Sequence, residues 1–169
     1  MQILSIYNAE SYYGAASAGG WKDDSLLQKK GDLGRPDIPI CIGGNHFSQA
    51  LYDFGASINI IPMVLYEKIQ GDLLLYTTMC LQLADQTLCY PKGIVEDICI
   101  QVGNSYVPVD FVVIEIGGDE KAPIILGRPF LSTAKAIIYA NNANICFNIK
   151  GRKEKFTFKN YILKSSAHP

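Results

Sequence analysis

The sequence lacks the features of membrane, secreted and nucleic-acid-binding chains. Its 169 residues contain no apolar run that approaches the roughly 18 residues of a membrane-spanning helix. No basic segment precedes the apolar residues at the N-terminus, as a secretory signal would require. The formal net charge is −1, so the chain as a whole has no basic footprint for nucleic acid. We expect no membrane partner, and this charge balance does not favour nucleic acid as a partner.

Cysteine and histidine are too few and too scattered for a disulfide framework or a metal site. The cysteines are Cys41, Cys80, Cys89, Cys99 and Cys146. They form no C-x-x-C pair, and their odd number argues against complete pairing. Cys41 and His46 lie close in sequence, but no second pair of ligands follows. We expect reduced, mostly buried thiols in an intracellular protein that binds no metal and no cofactor.

Composition divides the chain into three segments. Residues 1–35 are rich in Gly, Ala, Ser and Lys and show little periodicity, which predicts a linker or a disordered remnant. Residues 36–150 hold regularly spaced apolar runs and form the predicted domain. Residues 151–169 are basic, with Glu154 as the only acid, and predict a solvated tail with at most a weak contact to nucleic acid.

Short strands joined by tight turns dominate the predicted domain. Residues 37–42 and 47–53 are predicted strands around a turn that carries His46. A short helix is predicted from Pro62 to residue 69, and a second follows Gly127 through residues 131–135. Further strands are predicted at 79–84, 93–102, 106–116, 136–139 and 144–149. The predicted fold class is all-β, a closed or folded-over sheet with one or two short helices.

An acid inside an apolar run is the first candidate for function. Asp53 follows an Ala-Leu-Tyr run and precedes Gly55 by two residues. A buried carboxylate is costly unless donors surround it, and glycine permits a close approach and a positive φ that aim N–H groups at the acid. The residues alone leave two interpretations open, a functional carboxylate or an ordinary acid that caps a strand-to-turn junction. Asp110, which no glycine follows, is predicted as a strand-edge acid.

Two motifs resemble those of the retropepsin-like aspartic proteases. Asp53-Phe54-Gly55-Ala56-Ser57 resembles the D-x-G-A active-site turn of that family, and about 70 residues later Ile125-Leu126-Gly127-Arg128 resembles its second signature. The strings DFGASINIIP, LQLADQTLCYPKGIVED, VPVDFVVI and APIILGRPFL resemble the protease segment of plant gypsy-type LTR-retrotransposon polyproteins. The resemblance covers roughly residues 32–165 and implies the acid-protease half-barrel fold.

The resemblance implies an aspartic endopeptidase that matures a retroelement polyprotein, in the cytoplasm within a retroelement particle. One D-x-G turn per chain implies a homodimer in which two copies of Asp53 share a proton and activate water against an extended peptide. The implied site comprises the catalytic Asp53; the turn residues Phe54, Gly55, Ala56 and Ser57; the flap residues Ala84, Asp85, Gln86 and Thr87; and the supporting residues Ile125, Leu126, Gly127 and Arg128.

Three features depart from the family pattern. Phe54 stands where the family has Thr or Ser, whose hydroxyl supports the turns across the dimer. Ser57 stands where viral members often have an acid, so Arg128 lacks its expected partner, and the flap tip has no glycine. These departures keep a second hypothesis open, an inactive protease-like domain that binds peptides or dimerises. A third, a β-barrel that binds nucleic acid through the basic tail, requires an aromatic and basic stripe on one sheet face, and the predicted strands carry few lysines or arginines.

Overall fold

Eleven strands, two short α-helices and one turn of 3-10 helix (Ala140–Asn142) build the part of the chain that the structure describes. The computed structural model describes residue 34 and residues 37–69, 73–83, 85–116 and 122–158. The strands are β1 (Asp37–Ile42), β2 (Asn45–Tyr52), β3 (Asn59–Pro62), β4 (Leu81–Gln82), β5 (Leu88–Cys89), β6 (Gly93–Val102), β7 (Ser105–Ile114), β8 (Ile125–Leu126), β9 (Ile137–Tyr139), β10 (Asn144–Ile149) and β11 (Arg152–Thr157). The helices are α1 (Met63–Lys68) and α2 (Arg128–Thr133). The predicted linker, residues 1–35, lies outside the described residues except for Gly34.

Six of these strands close a barrel in the order β1-β2-β8-β3-β7-β6. β1 and β2 form an antiparallel hairpin across Gly43 and Gly44, whose positive φ values permit a two-residue turn. β6 and β7 form a longer antiparallel hairpin, and β3 runs parallel to β7. The all-β class predicted from the sequence, a closed sheet with two short helices, is confirmed.

Alternating side chains of β7 fill the barrel. Val107 and Val109 are buried, and their neighbours along the strand are exposed. The last four residues of the strand, 111–114, are all buried because apolar side chains cover both faces of this end. The cluster on the second face includes Leu81 of β4. The β4–β5 hairpin therefore packs against the outside of the barrel through buried apolar side chains.

The two helices begin close to a proline and a glycine. α1 begins at Met63, so Pro62 occupies the N-cap and not the first helical position that was predicted. α2 directly follows Gly127 and carries a proline in its first turn. The buried side chains of Phe130 and Leu131 fix α2 against the barrel core. Neither described helix has the length and apolar character needed to cross a membrane.

Two predictions about single residues are wrong. His46 lies in β2, paired with Cys41, and not on the hairpin tip, because the turn is only two residues long. The five cysteines are free, as predicted, but none is buried: Cys80 and Cys99 are exposed and the other three are half-buried. Cys99 points outward because its two neighbours in β6 take the buried positions.

A second sheet, in the order β9-β10-β11, follows α2 and joins the barrel core. β11 pairs with β10 along its whole length, so residues 152–157 form a strand where a solvated tail was predicted. Ile145 and Phe147 of β10 are fully buried, and the ring of Phe147 lies 5.5 Å from that of Phe130 in α2. Residues 159–169 of the predicted tail lie outside the described residues.

Glu154 attaches β11 to the barrel. Its Oε1 accepts the backbone N–H of Asn104 at 3.0 Å and the hydroxyl of Ser105 at 2.7 Å, both at the β6–β7 turn. A Cβ at Gly103 would overlap the Glu154 carboxylate, so this close approach requires glycine. The single acid of the predicted basic tail therefore anchors that segment to the fold.

Candidate active site

The turn that carries Asp53 passes over the end of β8. Within the barrel, β8 lies between β2 and β3, parallel to the first and antiparallel to the second. The chain therefore crosses from one side of β8 to the other within residues 53–58. The backbone N–H of Asp53 donates to the carbonyl oxygen of Leu126, the last residue of β8, at 2.9 Å. The acid is thus fixed at the carboxyl end of that strand.

The Asp53 carboxylate is buried and has a local donor. The residue is 9 % exposed, and its Oδ1 accepts the backbone N–H of Gly55 at 2.7 Å. The bond offsets part of the cost of burying the carboxylate. It is also the local cap that one of the two sequence interpretations predicted. The N–H of Gly55 is therefore aimed at the acid, as the sequence argument allowed, although Gly55 is not among the described glycines with positive φ.

Gly127 fills the narrow space beneath the turn. A Cβ at this position would overlap the carbonyl oxygen of Ile58 and lie 2.9 Å from that of Ala56. Its N–H donates to Oδ1 of Asn59 at 2.8 Å, and Nδ2 of Asn59 donates to the carbonyl oxygen of Asp110 at 3.0 Å. Asn59 is buried, and it connects the end of β8 to β7 through β3. The turn therefore rests on a buried amide whose oxygen and nitrogen each form a hydrogen bond.

Arg128 holds the turn from the other side. Its backbone N–H donates to the carbonyl oxygen of Ala56 at 2.9 Å. Its Nη1 lies 3.1 Å from the carbonyl oxygen of Phe54 and 3.3 Å from that of Gly55, and donates to both. The sequence left this side chain without a partner because Ser57 replaces an acid. Backbone carbonyls of the turn are its partners instead.

A separate hairpin, β4 with β5, carries the predicted flap residues. Asp85 accepts the Thr87 backbone N–H at 3.0 Å and the Thr87 hydroxyl at 2.6 Å. These hydrogen bonds lower the pKa of Asp85 below its usual range. Gln86 adopts a positive φ of 67°, a conformation in which glycine is favoured. Ala84 lies outside the described residues, and the other three flap residues form an exposed tip.

Comparison with solved structures identifies the architecture. No family model matches the sequence, and no curated protein matches it. Among 186 matching chains of solved structures is the retroviral protease-like domain of Ddi1 from Leishmania major. It superposes with a TM-score of 0.53 at 18 % identity, over 73 % of this chain and 92 % of that chain. The fold is retropepsin-like.

The retropepsin-like fold brings the two sequence motifs together. Residues 53–57 form the turn, and residues 125–128 form the strand end and helix start that support it. Ile125 pairs with Leu51 of β2 and with Ile60 of β3. The predicted flap residues lie on a different hairpin and share no hydrogen bond with the turn among the described contacts.

The side chains of two predicted turn residues, Phe54 and Ser57, form no hydrogen bond within one chain. Phe54 is 48 % exposed, and its ring stands edge-on to that of Tyr52 with centroids 6.3 Å apart. Oγ of Ser57 is buried and has no hydrogen-bond partner. Phe54 therefore offers an apolar surface directly beside the carboxylate, where the family pattern places a hydroxyl.

Sequence reasoning missed Asn59 and Tyr52. Asn59 interrupts an isoleucine-rich strand, and that single polar position is the signal that could have identified it. Tyr52 is buried one residue before Asp53 and packs its ring at 5.9 Å from that of Phe158. Burial raises the pKa of Tyr52 above its usual value. Nothing in the sequence around Tyr52 distinguishes it from an ordinary strand residue.

A cavity of about 430 Å³ lies between β7 and α2, beside the turn but not at the carboxylate. Ile58 and Asn59 line it, whereas Asp53 does not. Asp110 also lines it, and Oδ1 of this residue accepts the backbone N–H of Asp97 at 2.9 Å. The strand-edge or strand-end position predicted for Asp110 is wrong, because it lies in the middle of β7, which pairs with both β6 and β3 in the closed barrel. Among the described residues no group of three or more His, Cys, Asp or Glu side chains is placed to hold a metal ion.

Proposed function

We propose that this chain is an aspartic endopeptidase that acts as a homodimer. The observation that carries the proposal is the buried Asp53 carboxylate on a turn that hydrogen bonds attach to both β8 and α2. The retropepsin-like fold and the two sequence motifs support the same assignment. A buried acid held in one place suits catalysis because the protein bears the cost of positioning before the substrate arrives.

The proposed mechanism uses one carboxylate from each of two chains. A two-fold axis brings the two Asp53 side chains together from identical turns. Like charges a few ångströms apart do not both ionise at mildly acid pH, so the pair holds one proton. The ionised member accepts a proton from the attacking water, and the protonated member donates to the scissile carbonyl oxygen. The two groups titrate as a pair.

The substrate in this proposal is an extended peptide beneath the β4–β5 hairpin. Phe54, Gly55, Ala56 and Ser57 border its backbone, and Asp85, Gln86 and Thr87 form the tip that closes over it. Closure excludes water other than the nucleophile and positions the scissile bond. The motif strings resemble plant gypsy-type elements, so we propose a retroelement polyprotein as the substrate and a cytoplasmic retroelement particle as the setting.

Phe54 favours a second candidate, an inactive protease-like domain that binds peptides or dimerises. An exposed aromatic side chain supplies contact area at an interface but no hydroxyl for the turn across the axis. If the hydroxyl is essential, two turns meet without the support that keeps their carboxylates aligned. The two candidates therefore differ in chemistry, and the second requires either peptide binding or a dimer but not both.

Peptide cleavage tests the proposal. We expect the native chain to cleave a mixed peptide library at about pH 5, where a proton-sharing pair is competent. A statine-type transition-state mimic should inhibit it. Asp53→Asn should lower the rate by at least about 10³-fold, because it removes both the base and the acid of the pair. Glu67→Gln, which changes an exposed acid of α1 outside the turn and outside the hairpin tip, is the matched control and should retain activity.

Two further measurements separate the candidates. If the native chain and Asp53→Asn had equal activity, the carboxylate would have no role in cleavage, and the inactive protease-like domain would be the better candidate. Phe54→Ser restores the family hydroxyl; activity that appears only in this variant would identify Phe54 as the cause of inactivity. Sedimentation velocity at low micromolar concentration should show a dimer, and a chain that cleaves peptides as a monomer would contradict the shared-pair mechanism.

A further inference from the structure

The outer face of the C-terminal sheet is not used by the proposed peptidase. Directly opposite residues of antiparallel strands project from the same face of a sheet. Cys146 of β10 lies opposite Lys155 of β11 on one side and Ile137 of β9 on the other. We use the term outer face for the surface formed by Ile137, Tyr139, Cys146, Asn148, Lys153 and Lys155.

A basic column runs along the β11 edge of this face. Lys153 and Lys155 are exposed and lie two residues apart, roughly 6.6 Å along the strand. Lys150 precedes them in the β10–β11 turn and is also exposed. None of these three lysines takes part in an ion pair in the described part of the chain, where Lys92 pairs with Glu115.

No described acid forms an ion pair with these lysines. Glu154 is the only acid among residues 150–158, which hold four of the 15 basic residues of the chain. Its carboxylate lies on the opposite face, where it is buried against Asn104 and Ser105. The net charge of −1 therefore conceals a local positive surface, because the surplus of acids lies elsewhere in the chain.

One aromatic side chain lies near the end of the column. Tyr139 is 45 % exposed on the edge strand β9, in the row that contains Thr157 at the far end of β11. Tyr106 is also exposed, but it lines a cavity of about 240 Å³ with Arg152, which projects from the opposite face of β11 together with Glu154. Tyr106 therefore takes no part in the outer face.

We propose that the outer face binds single-stranded nucleic acid without sequence preference. The lysine column contacts successive phosphates, and Tyr139 stacks on a base, the two contacts that such binding combines. Stacking requires an unpaired base, so the face selects a single strand over a duplex. The charge and aromatic pattern are the stripe that the third sequence hypothesis required. This inference does not depend on the proposed peptidase, because Asp53 takes no part in it.

Fluorescence anisotropy with a labelled 20-nucleotide oligo(U) tests the proposal across a series of salt concentrations. We expect micromolar binding at low salt that weakens as salt rises. Lys153→Gln with Lys155→Gln should make the slope of log K against log [salt] shallower by about 1.4, the value for two phosphate contacts to a single strand. Tyr139→Leu should weaken binding by about tenfold with an unchanged slope.

Matched controls make the result specific. Lys68→Gln with Lys92→Gln removes the same charge elsewhere and should leave the slope unchanged, and Asp53→Asn should bind as the native chain does. A native slope in the Lys153/Lys155 variant would overturn the proposal. The proposal would also be overturned if another anionic ligand bound as tightly as oligo(U) and Tyr139→Leu did not weaken that binding. The ligands to compare are inorganic polyphosphate, a phosphatidylserine vesicle and a 20-base-pair duplex.

Discussion

Gly127 occupies the tightest contact of the described site. Carbonyl oxygens of two turn residues surround the position where a Cβ would stand, and the N–H of Gly127 bonds to the buried Asn59. Backbone atoms cannot rotate away as a side chain can, so any larger residue must displace the turn itself. The position of the Asp53 carboxylate therefore depends on the absence of a side chain at residue 127.

Gly127→Ala should lower both stability and activity. We expect a loss of about 2–3 kcal/mol in the free energy of unfolding, as for overpacking at a closely packed site, and a fall in the rate of peptide cleavage beyond the loss of folded protein. Urea unfolding and initial rates measure the two effects. Gly44→Ala is the control, since it has open space but a positive φ; it should cost about 1 kcal/mol and leave the specific activity of folded protein unchanged.

Some of the site's residues were predictable from local sequence and others were not. Asp53 was noticeable as an acid inside an apolar run, whereas Gly127 was identified through the resemblance of residues 125–128 to a family motif. The partners of Arg128 were not predictable, since they are backbone carbonyls that carry no sequence signal. Asn59 was missed for a related reason: its hydrogen bonds span 68 and 51 residues, and only the closed barrel brings the partners together.

The elements around the site differ in how they are held. The β4–β5 hairpin rests on the barrel through Leu81, while its tip is exposed and bonded mainly to itself. β11 is held at both ends, by Glu154 at the β6–β7 turn and by Phe158 beside Tyr52. The sequence predicted a tail from residue 151 onward because basic residues dominate its composition. Residues 152–157 form a strand instead, because Glu154 is buried and Phe156 and Phe158 alternate with exposed residues.

The tip of the β4–β5 hairpin should lose its hydrogen bonds at strongly acid pH. The pKa of Asp85 is lowered in the folded chain, so its bonds to Thr87 stabilise the tip above the ordinary pKa of an aspartate and are lost as pH falls through the lowered value. At pH 5 the tip should remain intact. Amide hydrogen exchange at Thr87 measures this, and Asp85→Asn should remove the pH dependence; an unchanged profile in that variant would assign it to another group.

Removing the Glu154 carboxylate should destabilise the whole domain. Glu154→Ala leaves the Asn104 N–H and the Ser105 hydroxyl without their buried acceptor, and we expect a loss of about 2–4 kcal/mol. Thermal and urea unfolding report the loss. Lys155→Ala, on the adjacent exposed position, is the control and should change stability by less than about 0.5 kcal/mol. Equal effects of the two substitutions would mean that β11 is not attached through Glu154.

At the scale of the whole molecule, the sequence predicted the class of fold better than its connections. Alternation along β6 and β7 and the glycine turn between β1 and β2 indicated an all-β chain, since these signals are local. The insertion of β8 between β2 and β3 depends on pairing between distant segments and left no local pattern. That insertion builds the candidate site. The resemblance implied only that residues 125–127 lie beneath the turn, and the structure shows the insertion itself.

The two-residue strand β8 also sets the order in which this molecule can be built. Its neighbours in the barrel are synthesised more than 60 positions earlier, and neither can complete its ladder until β8 emerges. Pairings of such long sequence separation form late and slowly. A nascent chain that contains Asp53 but ends before Gly127 therefore lacks the residues that support the Asp53 turn. During translation, the candidate site would therefore form only near completion of the domain.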